Sequence, residues 1–302
     1  MIYKIFAEFL IVAGAFLIVW SAFKYYMLIR FSADETYRKM SGRNRMNDIV
    51  SIGLLCFSFA GYVAAGVYIA LGSGALYDLF VALIFAGGGV FVYFMVASQI
   101  GMSKVLRLKT TEILKILVNS IEMKDAYTFG HSQHVHKIVG VFYDHLPESV
   151  RKHIVKPKLL DAALLHDIGK IGINDAVLNK KGVLNAGEWN KVKEHPAVGK
   201  NLLVSTSFEE IENWVLYHHE HIDGTGYYHL TGDEIPPEAR IIAIADVYSA
   251  LTTDRIYRTR YSHKQALDMM AKGRGTQFDA DLFAVFETID GALLINDNQP
   301  AS

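Results

Sequence analysis

The sequence predicts an all-α protein: three transmembrane helices followed by a helical soluble domain. Three observations carry this. Ile49–Tyr77 and Leu79–Ser103 run for 29 and 25 residues without a charged side chain. Each is long enough for a helix to cross a hydrocarbon core of about 30 Å. All twelve histidines lie between His131 and His263, so the two halves of the chain differ in chemistry. No run of strand length alternates apolar and polar residues, whereas the second half repeats apolar residues at helical spacing.

The composition narrows the function classes. Hydrophobic residues make up 51% of 302 and the mean hydropathy is +0.20, which excludes intrinsic disorder and a collagen-like chain. One cysteine excludes a disulfide framework and a cysteine-rich zinc module. That residue, Cys56, lies in an apolar run and is expected as a membrane-buried thiol. Residues 1–100 hold 7 Lys+Arg and 5 Asp+Glu, and residues 101–302 hold 23 and 26. A basic nucleic-acid footprint is absent, so no DNA partner is expected.

The membrane region is expected over 1–101, with spans at 5–29, 49–71 and 76–100. The first span is the least uniform. Phe9–Phe23 carries no charge, and extending it takes in Lys4, Glu8 and Lys24, of which the lysines can snorkel. A cleaved signal peptide would need an uninterrupted apolar core and a small-residue cleavage site. Here Glu8 interrupts, and Lys24 and Arg30 follow. Leu71-Gly72-Ser73-Gly74 makes the second and third spans a hairpin, with Asp78 beside the turn. Lys24, Arg30, Arg38, Lys39, Arg43 and Arg45 crowd the 24–48 loop, and Lys104, Arg107 and Lys109 follow the third span. The positive-inside rule then puts both clusters in the cytoplasm and the N-terminus outside. Gly87-Gly88-Gly89 and the Ala/Gly-rich stretch 60–66 suit close helix packing, although glycine is common in membrane helices anyway.

Residues 102–122 read as a helical connector without Pro or Gly. Leu106, Thr110, Ile113, Leu117 and Ser120 alternate spacings of four and three. That fits a short parallel coiled-coil seam joining two copies, or a single amphipathic helix packed on the next domain. The soluble domain is expected over 123–290, with 291–302 as a flexible tail. Its helices are expected at 158–165, 188–193, 208–218, 238–251 and 280–289, with functional loops at 169–186 and 222–237.

Ionisable residues gather where these helices end. His166 and Asp167 close one apolar run, His218, His219 and Glu220 close another, and Asp246 sits deep in a third. His131 and His195 add two imidazoles. Imidazole and carboxylate together suit a divalent transition metal. Each residue alone reads as a surface histidine, a helix cap or a satisfied core carboxylate. An unpaired buried Asp246 would be costly, and a metal resolves it.

The motifs run in order: DAYTFGHS at 125–132, HDIGKIGI at 166–173, KVKEHPAVG at 191–199, HHEHIDGTGYY at 218–228, ARIIAIADVYSALTTDR at 239–255 and GTQFD at 275–279. On these, residues 121–290 resemble an HD-GYP domain, a branch of the HD phosphohydrolase superfamily. The resemblance implies two divalent metal ions, iron first, with manganese or another transition metal as alternatives. It implies that His131, His166, Asp167 and Asp246 hold one ion. Asp167 bridges to a second, held by His195 and His218, with His219 nearby. Relatives with a third metal carry Glu where this chain has Tyr127. Lys170 is placed to neutralise a phosphate, Arg255 and Arg258 to bind substrate phosphates, and Tyr227 to contact a guanine. Glu220 is expected to orient a histidine.

The implied activity is a bacterial inner-membrane phosphodiesterase that opens cyclic di-GMP to pGpG and then releases GMP. Asp167 and Lys170 are its candidate catalytic residues. A homodimer through the connector and a diguanylate cyclase contact through loop 224–229 are the implied partners. Two departures stand out. Tyr228 replaces the proline of the naming triplet, which is expected to leave the loop freer, and His229 stands where glycine is common. Asn174 replaces another common proline. Hydrolysis of a different cyclic dinucleotide such as cyclic GMP-AMP, or nonenzymatic binding of cyclic di-GMP as a scaffold, are the competing expectations.

Overall fold

A computed structural model describes residues 2–31, 45–71, 75–124, 130–254 and 259–294. Among them the chain is all-α, with two isolated bridges and no strand. It divides into two compact units, residues 1–110 and 111–302.

The first unit is built from α1 (Ile2–Phe31), α2 (Arg45–Ala70) and the start of α3 (Ala75–Glu122). All three are long and apolar enough to cross a membrane. The third span and the residues of the expected helical connector form one helix. No Pro or Gly after Gly101 interrupts it. Ile11, Ile18 and Tyr25 of α1 pack with Leu55, Tyr62 and Ile69 of α2. The Tyr62 hydroxyl donates to the Phe85 carbonyl. A Cβ on Gly89 would stand 2.6 Å from that hydroxyl and 3.0 Å from the Gly14 carbonyl oxygen. Gly89 therefore permits the close approach, whereas Gly87 and Gly88 meet nothing within 4 Å. Phe9, Phe16, Phe57, Phe91 and Cys56 face outward. That much exposed apolar surface needs a nonaqueous neighbour. Lys24 lies over the rings of Trp20 and Tyr93, and Asp78 is buried. The 72–74 turn and most of the 24–48 loop lie outside the described residues.

The second unit surrounds one apolar core. α4 (His131–His145), α5 (Lys156–Leu165) and α9 (Pro237–Thr252) form its centre. α5 buries Leu159 and Ala162–Leu165. α9 buries Ile241, Ile242, Ile244 and Ala245, almost its whole circumference. Phe142, Phe283 and Phe286 are fully buried, each contributing about 1.5–3 kcal/mol by leaving water. Around them lie α6 (Ala186–Lys193), α7 (His195–Leu203), α8 (Glu212–Leu216), α10 (His263–Met270) and α11 (Ala280–Phe286). The helix expected over 208–218 is broken into a 3-10 turn, Glu209–Ile211, and the short α8. α11 stops at Phe286, and a further turn, Gly291–Leu294, follows with Leu294 buried. The folded domain thus passes the expected boundary at 290, and 295–302 lie outside the described residues. From the connector, Leu114 and Val118 join this core, while Ile113, Ile116 and Leu117 stay exposed. The hydroxyls of Thr110 and Ser120 return to the carbonyls of Leu106 and Ile116.

Candidate metal centre

The ends of four helices converge in the second unit. His131 opens α4, His166 and Asp167 close α5, His195 opens α7, and His218 and His219 follow α8. Asp246 joins them from the middle of α9. Gly169 makes the convergence possible. A Cβ there would stand 1.9 Å from the His195 carbonyl oxygen, so only glycine lets the 166–172 segment lie against α7.

Three of the imidazoles share one local geometry. His166, His195 and His218 each bring Nδ1 to the carbonyl three residues earlier, of Ala163, Val192 and Val215, at 2.8, 2.8 and 2.6 Å. A carbonyl only accepts, so Nδ1 carries a proton, and in the neutral ring Nε2 keeps the lone pair. All three Nε2 atoms are buried without a hydrogen-bond partner. Buried polar atoms are otherwise almost always satisfied. Burial pushes the His218 imidazole well below its usual range, and neighbouring histidines add to this. Burial likewise takes His219 down to about 4, against the pull of Asp246. His218 and His219 are therefore neutral near pH 7 and ready to ligate.

Asp167 lies between two sets of rings. Its Oδ1 stands 3.2 Å from His195 Nε2, and its Oδ2 stands 3.5 Å from His166 Nε2 and 2.7 Å from Lys170 Nζ. Lone pairs facing lone pairs repel, and a cation between them removes the conflict. Burial raises the Asp167 carboxyl, but the Lys170 ammonium beside it outweighs this and holds it well below the carboxylate range. Asp246 behaves the same way: burial raises it, and His131, 2.9 Å away, brings it down with the other imidazoles. Among the described residues three overlapping groups have ligand atoms within 4.8 Å of one another: Asp167, His195, His218 and His219; His131, His166 and Asp167; and His166, His218 and Asp246. The donor set, neutral imidazoles and carboxylates, fits divalent transition metals.

The surrounding residues divide into two groups. Tyr227 sits with its ring 4.8 Å from that of His219, under the Lys193 ammonium. Its phenol is pushed up to about 12 by burial and then by Asp167 and Asp246. Arg255, Arg258 and Tyr127 lie outside the described residues.

Two expectations for the 220–230 loop are corrected. Glu220 serves the loop rather than a histidine: its carboxylate accepts from the Tyr228 and Leu230 amides at 2.7 and 2.8 Å. Tyr228 is accordingly held, not freed, and its ring also meets Tyr217 edge-on. His229 takes the left-handed conformation, φ 63°, and its Nδ1 lies 3.0 Å from the Gly224 carbonyl oxygen. Asn174 caps the turn Asp175–Leu178 by accepting from the Ala176 amide.

Glu122 is a residue that the motifs do not mark. Its carboxylate accepts from the Gly130 and Ser132 amides, both at 2.7 Å, and so fixes the start of α4 on either side of His131. Its only sequence signal is an acid shortly before a helix start.

A family model described as HD domain matches residues 115–282. The 3'3'-cGAMP-specific phosphodiesterase 3 of Vibrio cholerae serotype O1 is 37% identical over 169 residues, covering 55% of this chain and 36% of that protein. A cyclic di-GMP phosphodiesterase of the same organism is 40% identical over 141 residues, 44% of this chain and 29% of that protein. The cyclic di-GMP phosphodiesterase response regulator RpfG of Xanthomonas campestris pv. campestris is 38% identical over 175 residues, 56% and 45% of the two chains. The chain spans less than half the length of each of these relatives.

Proposed function

The chain belongs to the HD domain family, and on that basis we propose that it is a membrane-anchored, metal-dependent phosphodiesterase acting on cyclic di-GMP. One observation carries the reading: three buried imidazole Nε2 atoms surround the Asp167 carboxylate without hydrogen-bond partners. Two divalent cations, iron or manganese, would supply Lewis-acid activation of water and neutralise charge on the phosphodiester. In this proposal His131, His166, Asp167 and Asp246 hold one, and His195, His218 and His219 hold the other, with Asp167 shared.

The chain's own residues would do the rest. Lys170, already 2.7 Å from Asp167, turns its ammonium toward a nonbridging phosphate oxygen. Tyr227 offers its ring to a guanine beside His219. Arg255 and Arg258 would take the phosphates as bidentate donors. Water adds across one P–O bond of the ring to give pGpG, and a second hydrolysis gives GMP.

The three apolar helices support the membrane anchor, and the basic clusters at 24–48 and 104–109 support a cytoplasmic second unit with the N-terminus outside. A bacterial inner membrane is the proposed location. The exposed Ile113, Ile116 and Leu117 support a homodimer through the connector. Loop 224–229 is the proposed contact for a diguanylate cyclase domain. A second reading, hydrolysis of cyclic GMP-AMP, is favoured by the likeness to a relative named for that substrate.

The test incubates the detergent-solubilised full chain anaerobically, with iron or manganese, with each dinucleotide, beside a His166→Ala/Asp167→Ala control. Appearance of pGpG or GMP from cyclic di-GMP, absent in the control, supports the proposal. Preferential turnover of cyclic GMP-AMP supports the second reading. Nucleotide binding by a metal-loaded chain that never turns over would assign a scaffold instead.

A further inference from the structure

Behind His131 lies a second buried imidazole. His134, one helical turn along α4, is 3% exposed, and Ser249 on α9 is fully buried. The Ser249 hydroxyl stands 3.0 Å from His131 Nδ1 and 2.9 Å from His134 Nδ1. His134 Nε2 stands 2.8 Å from the Leu294 carbonyl oxygen. The Thr253 hydroxyl is also near His134 Nδ1, but at 3.5 Å.

The proton positions follow from what each group can do. The Leu294 carbonyl only accepts, so neutral His134 carries its proton on Nε2. His134 Nδ1 is then a lone pair and receives the Ser249 O–H. The serine oxygen is left as an acceptor toward His131, which therefore donates from Nδ1. His131 Nε2 then points at Asp246 Oδ1 at 2.9 Å, hydrogen-bond distance, where a cation held by both would take the place of the proton between them. His166, His195 and His218 reach the same tautomer through a carbonyl three residues earlier. His131 opens its helix and uses a side-chain relay.

We propose that Ser249 and His134 are positioning residues that fix His131 in its metal-binding tautomer, through a one-way hydrogen-bond relay ending on the Leu294 carbonyl. The inference rests on the reading that His131 ligates a cation. Groups that orient a ligand histidine typically change metal affinity by roughly 10- to 100-fold when removed. His134→Leu makes the sharper prediction. Without its acceptor, the Ser249 proton is released toward His131 Nδ1 and favours the wrong tautomer.

The experiment titrates Mn2+ into the metal-free full chain in detergent and reads free Mn2+ by electron paramagnetic resonance. Thermal unfolding of the metal-free chain is recorded alongside. Ser249→Ala and His134→Leu should each weaken one Mn2+ site by roughly 10- to 100-fold. Ser249→Thr, which keeps a hydroxyl, should stay within a few-fold of the parent. Lower melting temperatures with unchanged Mn2+ affinity in both variants would mean a merely structural role and overturn the relay. If Ser249→Ala does not fold, unchanged affinity in His134→Leu overturns it alone. A parent chain that binds no Mn2+ would remove the metal centre itself, a result distinct from equal affinity across variants.

Discussion

Tyr228 donates its backbone N–H to the buried carboxylate of Glu220 at 2.7 Å. A proline at 228 would have no such proton. The tyrosine variant of the triplet therefore gains an anchor for the loop that carries Tyr227, and Leu230 secures the other carboxylate oxygen.

Tyr228→Pro should cost about 1–3 kcal/mol, because one oxygen of a buried carboxylate loses its partner. The loop is separate from the ligand set, so metal content should hold while KM for the dinucleotide rises. Thermal unfolding and steady-state kinetics of the full chain check this. An unchanged melting temperature and KM would count against the anchor.

Gly169→Ala should be more damaging. Its Cβ would meet the His195 carbonyl oxygen at 1.9 Å, and the obstacle is backbone. Overpacking on this scale costs about 3 kcal/mol or more and displaces α7, and with it His195. Reduced melting temperature together with reduced metal binding is expected, and a variant with parent-like values of both would contradict the packing argument.

The metal-free chain should lose stability as pH falls from about 6.5 toward 4. His219 titrates near 6.5 when unfolded and is depressed to about 4 in the fold, so below 6.5 the unfolded state binds more protons. Its share is on the order of 3 kcal/mol at pH 4, and His218 acts in the same direction. Asp167 and Asp246 are held low, so their contribution persists above the carboxylate range and is lost only further down. Thermal unfolding across this range is the check, and a flat profile between pH 6.5 and 4 would refute it.

Much of this was legible in the sequence, for definable reasons. Uncharged runs report helices long enough to cross a membrane whatever their partners are. The His and Asp motifs report the cluster because few other arrangements tolerate so many ionisable groups at apolar helix ends. What stayed hidden depends on contacts between distant segments. The partners of Glu220 lie eight and ten residues away across a loop, so its neighbour His219 drew the wrong inference. Ser249 and His134 are 115 positions apart and meet only when α4 and α9 pack. The turn that buries Leu294 lies beyond the last motif, which made 291–294 read as tail.

The most direct measurement is the divalent-metal content of the anaerobically purified full chain at saturation, beside His166→Ala and Asp167→Ala. Two ions per chain are predicted, with fewer in His166→Ala and the largest loss in Asp167→Ala, whose carboxylate faces both His166 and His195. A folded parent chain that retains no metal, or an Asp167→Ala variant that retains both ions, would contradict the two-cation centre.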